Sequence, residues 1–162
     1  MDLPIVLSHK TAWLYHNVAR PSEPLSRASS LYDEDSLANE AEPTAGLSKL
    51  GLDVKGLRAS AAVGIVADYL VSLGIPREEL DHIDTLVNFD FERSTPAGFR
   101  CHVFGAPVPP DHLLEVAEGL LVVDEVMCFV QAGSWMSEPE QLEYGYEICA
   151  RYHLNHLSTD DY

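Results

Sequence analysis

Two histidines, His9 and His16, are the first side chains whose type and spacing could do chemistry, since they lie seven residues apart in VLSHKTAWLYHNV. On a helix they would share one face, but a rise of about 1.5 Å per residue places them about 10 Å apart, too far to hold one metal ion. Zinc-binding helices use histidines four residues apart, and the chain contains neither HExxH nor CxxC. We therefore expect no metal site here, and interpret residues 8 to 18 as a helix with Ser8 as its N-cap.

The remaining candidates for catalysis are poorly matched to one another. Cys101 and His102 are adjacent on a predicted strand, where neighbouring side chains point to opposite faces. A nuclease of the restriction type needs a strand aspartate followed by Glu-x-Lys, but no lysine follows Lys55, so Asp84 and Asp90 lack that partner. The nucleophile elbow GxSxG, the phosphate-binding P-loop and GxGxxG are absent. The sequence therefore predicts no catalytic residues and no cofactor.

Charge is the strongest global feature of the sequence, because 26 acidic residues against 10 lysines and arginines give a formal net charge of −16. DNA affinity rests on basic side chains that neutralise phosphates, so this balance disfavours direct binding of nucleic acid. It favours instead a protein partner with a basic surface, toward which an acidic field steers association. The acidic residues expected to contact that partner are Glu115, Glu118, Asp124, Glu125, Glu138, Glu140, Glu143 and Glu147.

The periodicity of the sequence predicts a single α+β domain that spans residues 1–162. Apolar residues recur at helical spacing from 57 to 73 and stop at Gly74, which favours a helix followed by its C-cap. The last third is also helical. The segment at about 20–50 is rich in Ser, Pro and acid with little periodicity, so we expect a flexible acidic insertion there.

Alternating segments predict a small antiparallel sheet beside these helices. The segments 83–89 and 99–105 flank the turn sequence ERSTPAG and are expected to form one hairpin. Residues 113–123 contain Glu118-Gly119 between two apolar pieces and are expected to form a second. We expect this sheet to pack against the N-terminal helix, the central helix and two C-terminal helices.

The final helix has the most clearly marked start. Ser137 and Glu140 form the pattern of a capping box, and Pro139 stands in the first turn, where its missing N–H costs nothing. Two faces follow from a period of 3.6 residues. An acidic ridge is expected at Glu140, Glu143 and Glu147, and a buried stripe at Leu142, Gly145, Tyr146 and Cys149.

The N-terminus and the cysteines bear on the compartment. The first ten residues have an acid at position 2 and no basic region before a short apolar piece, so we expect no secretory signal. No apolar run approaches the roughly 20 residues of a membrane-spanning helix. Three cysteines without a CxxC pair favour reduced thiols. We expect a cytoplasmic protein without a membrane role, and leave its oligomeric state open.

Three segments resemble a known family. SHKTAWLYHNV resembles the opening helix of the AbiEi-type antitoxin domain, which occurs in type IV toxin and antitoxin systems and related bacterial proteins. CHVFGAPVPPDHLLEVAEGLLVVDEVMCFVQAG is similar to that family's succession of strand, Leu-Pro-Pro turn, strand and helix. SEPEQLEYGYEICARYHL resembles the Gly-Tyr-Glu-Leu-Cys helix of relatives that carry an endonuclease-like domain. The resemblance covers about residues 5–18 and 82–154.

The resemblance implies a structural scaffold rather than a catalytic one. The positions that match the family's motifs are Ser8, Thr11, Gly119, Tyr146, Glu147 and Cys149, and none of them is a catalytic position in the family. Family members usually place a winged helix before this domain or a nuclease-like domain after it. We expect this chain to lack both, which argues against DNA binding and DNA cleavage alike.

These observations predict a non-catalytic acidic interaction protein. An antitoxin-like protein, or an inhibitor carried by a mobile element, would bind the basic, nucleic-acid-handling surface of a nuclease, a toxin or a phage-defence complex such as CRISPR-Cas, the last being an anti-CRISPR role. The alternative is a DNA-binding regulator or a degenerate endonuclease of the AbiEi-related family. A purely structural accessory subunit differs from the first reading only in needing a permanent partner.

Overall fold

The computed structural model describes residues 4–18, 59–93 and 96–157, so the insertion expected at about 20–50 lies outside the described residues. Within these ranges the chain has an α+β fold with one five-stranded sheet and four α-helices. The strands are β1 (Ile5–Leu7), β2 (Ile83–Val87), β3 (Phe99–Val103), β4 (Leu113–Ala117) and β5 (Leu120–Val123). The helices are α1 (His9–Val18), α2 (Ala59–Ser72), α3 (Glu125–Ala132) and α4 (Glu138–Leu157).

β1 lies at the centre of a mixed sheet whose strand order is β3-β2-β1-β5-β4. It pairs in parallel with β5 and antiparallel with β2, where Leu7 stands opposite Thr85. Val6 and Leu7 are buried, as a central position requires. No strand is expected here from the sequence, because three residues between Pro4 and Ser8 are too few to show a period of two.

The antiparallel hairpin expected from the segments 83–89 and 99–105 is wrong, because β2 and β3 run parallel with Ile83 opposite Phe99. Just before β3 the Gly98 carbonyl lies at the start of β2 and accepts a hydrogen bond from the Ile83 N–H (2.8 Å). Side chains alternate with a period of two in both kinds of pairing. The sequence pattern therefore locates the strands but not their relative direction.

The hairpin expected at 113–123 is confirmed. β4 and β5 pair antiparallel, with Leu113 opposite Val123, and the chain turns between them at Glu118 and Gly119. All four residues of β5 are buried because the strand lies between β1 and β4. An uninterrupted apolar run is typical of a strand covered on both faces.

The helix ends that the sequence marks are confirmed. α2 stops at Gly74, which has a φ of +105°, and the Ile75 N–H donates to the Leu70 carbonyl (3.2 Å) as in a Schellman motif. At the start of α4, the N–H and the hydroxyl of Ser137 both donate to the Glu140 carboxylate (2.8 and 2.6 Å). The Glu140 carboxylate thus reaches back to the Ser137 N–H as in one half of a capping box, and the Ser137 hydroxyl adds a second bond to the same carboxylate.

α1 begins directly after Ser8, whose carbonyl accepts the N–H of Ala12 (3.0 Å) as the carbonyl of an N-cap residue does. The helix packs on β2 and on α3, and α3 packs on α4. α2 supplies Val66 and Leu70 to the same apolar core as the sheet. No helix within the described ranges is long and apolar enough to cross a membrane.

The buried stripe expected on α4 is wrong. Leu142 and Tyr146 are 59% and 77% exposed, and Cys149 is exposed as well. The face of α4 that is buried contains Tyr144 and Ile148 instead. Apolar residues occupy two adjacent faces of this helix, and periodicity alone does not say which of them meets α3. The apolar stripe thus remains on the surface.

Candidate functional site

The acidic residues predicted to contact a partner lie on three parts of the fold. Glu138, Glu140, Glu143 and Glu147 are exposed on α4, Asp124 and Glu125 stand at the start of α3, and Glu115 and Glu118 belong to β4 and the turn that follows it. Glu140, Glu143 and Glu147, which stand at positions i, i+3 and i+7 of α4, line one cavity together. The other five do not line it.

Asp124 is engaged within the fold. One carboxylate oxygen accepts the Met127 N–H (2.8 Å), which makes Asp124 the N-cap of α3, and the other lies 2.8 Å from Nδ1 of His112. A carboxylate with both oxygens bonded has little left for a partner. We therefore assign Asp124 to the stability of α3.

The cavity beside α4, which we call the acid–aromatic cavity, has a volume of about 350 Å³. Its walls combine indole and phenol rings with a thioether and three carboxylates. They consist of Trp13, Trp135, Met136, Glu140, Glu143, Tyr144 and Glu147.

Three elements bring these walls together. α1 contributes Trp13, and α4 contributes the carboxylates and Tyr144. The turn between α3 and α4 contributes Trp135, whose backbone is fixed there because its backbone N–H donates to the Ala132 carbonyl (3.0 Å). The two indole rings meet edge to face with their centroids 5.7 Å apart, a favoured geometry for aromatic pairs. The aromatic walls are thus ordered by the packing of α1 on the α3–α4 hairpin.

The electrostatic field around the cavity is negative. The Ser137 hydroxyl and then the Ser137 N–H hold the pKa of Glu140 below its usual range, since both bonds favour the ionised carboxylate. Between residues 125 and 150 the sequence has five glutamates and no lysine, arginine or histidine. The α3–α4 hairpin therefore carries negative charge without an internal cation along that stretch.

This arrangement can bind a cation. A lysine or arginine side chain placed over an indole face gains about 0.5–2 kcal/mol from the ring quadrupole, and carboxylates at the rim hold its charged end. A neutral apolar ligand would bring no opposite charge to the exposed carboxylates of Glu140 and Glu143. The chemistry of the walls therefore favours a cationic side chain that has an aliphatic stem.

The Trp135 indole Nε1 is buried and has no hydrogen-bond partner in the part of the chain that the structure describes. A buried donor without an acceptor costs about 1–3 kcal/mol, so this group is a local cost of the packing of Trp135.

A second concentration of titratable groups, which we call the buried polar cluster, consists of His9, His102 and Asp84. The His102 Nε2 lies 2.9 Å from the Asp84 carboxylate, and the His9 and His102 rings stack with centroids 3.6 Å apart. Asp84 is buried, and Arg100 approaches the same carboxylate at 4.0 Å. Sequence reasoning missed this cluster because its members come from α1, β2 and β3, and no local spacing links them.

The cluster is arranged for an uncharged His9. Burial and, to a smaller extent, the neighbouring His102 lower the pKa of His9 to about 4, against an opposing effect of Asp84 that is smaller still. The His9 backbone has a φ of +48°, and its N–H donates to the Gln131 side-chain oxygen (2.9 Å). A neutral ring can stack on His102 without repulsion, so the cluster ties the start of α1 to the sheet and to α3.

The geometry of the cluster does not build a nucleophile. His102 and Asp84 form a dyad of the kind that orients a general base, but the Ser8 hydroxyl bonded to His9 Nδ1 (3.0 Å) is fully buried. Cys101 is buried too. Among the side chains that the structure describes, no group of three or more His, Cys, Asp or Glu could hold a metal ion.

The histidine pair of the opening sequence is divided between two roles. His9 belongs to the buried polar cluster, while His16 is buried and its Nε2 lies 2.7 Å from the Val123 carbonyl of β5. That distance and the backbone acceptor indicate a hydrogen-bonded structural histidine. His16 therefore anchors the end of α1 on the sheet.

Comparison with protein-family models, with curated proteins and with solved structures finds no match to this chain. The function of the chain is therefore inferred from its residues, their geometry and their charge.

Proposed function

We propose that this chain is a non-catalytic interaction protein that binds a protein partner through the acid–aromatic cavity. The cavity accepts a lysine or arginine side chain from a basic, nucleic-acid-handling surface of the partner. One observation carries the proposal: three glutamates, two indoles and a buried tyrosine line a single cavity on a helical hairpin that lacks basic residues from 125 to 150.

The charge and the aromatic walls of the cavity match the chemistry of a lysine or arginine side chain. Surface carboxylates speed the approach of a basic partner and fix its orientation, and this gain falls as salt rises. The indole walls add an attraction that salt screens less, because a cation seated on a ring is shielded from solvent. The carboxylates and the indole rings together favour a cationic side chain that enters the cavity over one that stays at the surface.

The resemblance of three sequence segments to the AbiEi-type antitoxin domain suggests which kind of partner this would be. An antitoxin-like protein, or an inhibitor of a nuclease or of a defence complex such as CRISPR-Cas, would meet basic surfaces that normally hold nucleic acid. The cavity supplies the means of contact, and the net charge of −16 supplies the long-range attraction.

The chain contains its own probe for this proposal. Its only two tryptophans are Trp13 and Trp135, and both line the cavity, so intrinsic fluorescence reports on that site. We would titrate the protein with an end-capped tetra-arginine peptide at low salt and follow the emission. Tetra-citrulline, which has nearly the same shape without charge, serves as the ligand control. We expect the arginine peptide alone to change the emission, with an affinity that falls in high salt.

A matched pair of variants separates the cavity from net charge. Glu140→Gln, Glu143→Gln and Glu147→Gln together are expected to weaken the arginine peptide by about tenfold, since each lost ion pair contributes modestly. The control removes three exposed carboxylates elsewhere, by Glu78→Gln, Asp81→Asn and Asp111→Asn, and is expected to weaken it by less than about twofold. Equal losses in the two variants would overturn the cavity as the site.

Direct binding of DNA tests the alternative function. A gel shift of duplex DNA at moderate salt by the purified chain would contradict the proposal and favour a DNA-binding regulator. We expect no shift, because phosphates are repelled by the same field that attracts arginine.

A further inference from the structure

The second surface of interest is an apolar groove between α3 and α4, which we call the α3–α4 groove. It has a volume of about 310 Å³ and lies on the side of α4 that carries the exposed stripe. Its walls are almost wholly apolar. They consist of Val126, Phe129, Leu142, Gly145, Tyr146, Ile148 and Cys149.

The floor of the groove depends on Gly145. A Cβ atom at this position would lie 3.1 Å from the Phe129 ring, so the missing side chain lets the ring lie close against α4. The walls on either side rise from Leu142 and Tyr146, which are largely exposed. The result is a concave apolar strip that runs along a helix pair, the shape that receives one face of another helix.

The chemistry of the walls favours a helical occupant. An extended segment laid in the groove would bury backbone N–H and C=O groups against apolar side chains that offer them few partners. A helix satisfies its backbone groups internally and presents side chains at i, i+3, i+4 and i+7 to an apolar groove.

The charges beside the groove determine which helix fits. Glu138 lies one turn before Leu142 on the same face of α4, and Glu125 precedes Val126 at the start of α3. A second copy of the chain would bring the same carboxylates against its own, whereas lysines and arginines beside an apolar stripe would meet opposite charge. Charge complementarity therefore selects a basic amphipathic helix.

We propose that the α3–α4 groove binds the apolar face of a basic amphipathic helix of the partner protein. The partner's cationic residues lie along Glu138 at the start of the stripe, while its apolar residues fill the groove between Leu142 and Tyr146. The inference rests on the proposed function only in taking the partner to be basic, because the groove and the acid–aromatic cavity share no lining residue.

Cys149 provides a direct readout of occupancy. It is exposed in the groove wall, whereas Cys101 and Cys128 are buried and burial raises the pKa of the Cys128 thiol to about 12. Under native conditions a maleimide therefore labels Cys149 first, and peptide mapping by mass spectrometry identifies the site. A bound helix that covers the groove slows this labelling.

The experiment uses three synthetic peptides of about 18 residues with the whole chain. The first is an amphipathic Leu/Lys helix with leucine at i, i+3, i+4 and i+7, the second has the same composition in scrambled order, and the third replaces lysine by glutamate in the first pattern. We expect the Leu/Lys helix to slow Cys149 labelling by about tenfold or more and the others by less than about twofold. Equal protection by the scrambled peptide, or by the Leu/Glu helix, overturns the proposal.

Surface variants locate the effect. Leu142→Ser with Tyr146→Ser is expected to abolish the protection of Cys149, and because both residues are exposed the fold should persist, as a circular dichroism spectrum and an unfolding curve would verify. Val71→Ser, a change at an exposed apolar residue of α2, is the matched control and should leave the protection unchanged. Protection that survives in the Leu142 and Tyr146 double variant overturns the groove as the docking site.

Other occupants give different outcomes. Labelling that slows as protein concentration rises, with a doubled mass by light scattering, identifies a second copy of the chain and overturns the proposal. A Cys149 that is unreactive at every concentration means that the chain covers its own groove, which overturns it as well.

The two proposals fail separately. Loss of Cys149 protection with an intact tryptophan response to tetra-arginine removes the groove and leaves the proposed function standing. The converse result removes the cavity and leaves the groove.

Discussion

The buried polar cluster and the acid–aromatic cavity both bring ionisable side chains together, but they treat charge in opposite ways. In the cluster, Asp84 is buried and bonded to His102, and His9 is kept neutral by its surroundings. Around the cavity, Glu140 and Glu143 are exposed at the rim of aromatic walls, with no basic residue from 125 to 150. Ionisable groups bonded to one another inside the fold are costly to separate, whereas excess charge at the surface is available to a partner.

The comparison also explains why the cluster is not our candidate for function. A buried polar group gains from a partner already present, and replacing that partner by a ligand would cost the bond first. At the rim of the cavity the exposed Glu140 can meet a cation and keep the bonds it has, because both bonds from Ser137 end on the same carboxylate oxygen. The predictions below test this division between stability and binding, from the largest expected effect to the smallest.

Asp84→Ala tests whether the buried polar cluster stabilises the fold. Removing the carboxylate leaves His102 without its hydrogen-bond partner in a mostly buried site, so we expect the free energy of unfolding to fall by about 3 kcal/mol. Urea unfolding measures the change. The control is Asp90→Ala, because the Asp90 side chain is 84% exposed and its ion pair with Arg93 is long (3.8 Å), and we expect a loss below about 0.5 kcal/mol. Similar losses from the two aspartates would contradict a structural role for the cluster.

Two substitutions on α4 should separate its buried face from its exposed stripe. Ile148→Ala removes a buried side chain and is expected to cost about 2 kcal/mol, whereas Leu142→Ala is expected to cost less than about 0.5 kcal/mol because Leu142 is mostly in solvent. Thermal or urea unfolding of the two variants makes the comparison. If Leu142→Ala were the more destabilising, the stripe would belong to the core after all.

Asp124 should behave as a stability residue although its sequence context predicts partner binding. We expect Asp124→Ala to lower the free energy of unfolding by about 1 kcal/mol, because the N-cap of α3 and the contact with His112 are both lost. Asp124→Asn keeps an oxygen for the Met127 N–H and should cost only a few tenths of a kcal/mol. Neither variant should change the affinity for tetra-arginine, and a clear loss there would move Asp124 to the binding surface.

The smallest expected effect is a dependence of stability on pH that is due to His9. Its pKa is about 4 in the folded chain against 6.5 for an ordinary histidine, so between these values the unfolded chain binds a proton that the folded chain does not. Stability should fall as pH decreases from about 6.5 to 4. The contribution of His9 is up to about 1 kcal/mol, because the ring is partly exposed and solvent screens the effect.

His9→Asn isolates this contribution. Asparagine does not titrate and tolerates a positive φ, so it suits a backbone at +48°. Urea unfolding of the variant and of the wild-type chain at pH 6.5 and pH 4.5 measures the contribution. The difference in stability between the two chains should shrink as the pH is lowered; a constant difference would show that His9 does not titrate in this range.

Local signals in the sequence are sufficient for part of the fold. Gly74 ends α2, Glu118-Gly119 turns the hairpin of β4 and β5, and Ser137 with Glu140 starts α4, because each depends on residues within a few positions. Local signals also place Glu140, Glu143 and Glu147 on one face of α4, since a helix has a fixed period. The α+β class follows from the same local patterns.

Signals between distant segments are not visible in one sequence. The parallel pairing of β2 with β3 joins residues 16 positions apart, such as Ile83 and Phe99, and the central place of β1 depends on two strands that follow it by more than 70 residues. The buried polar cluster likewise joins three elements. Single-sequence periodicity carries no information about such contacts.

The sequence by itself determined the end of α2, the start of α4, the second hairpin and the acidic character of the last helix, because capping, turn chemistry and charge are properties of neighbouring residues. Tertiary structure alone decided that Trp13 and Trp135 line a cavity beside the acidic ridge and that Leu142 and Tyr146 face solvent. The reason is physical: packing selects which of two apolar faces of α4 is buried, and only packing brings α1 to the α3–α4 hairpin.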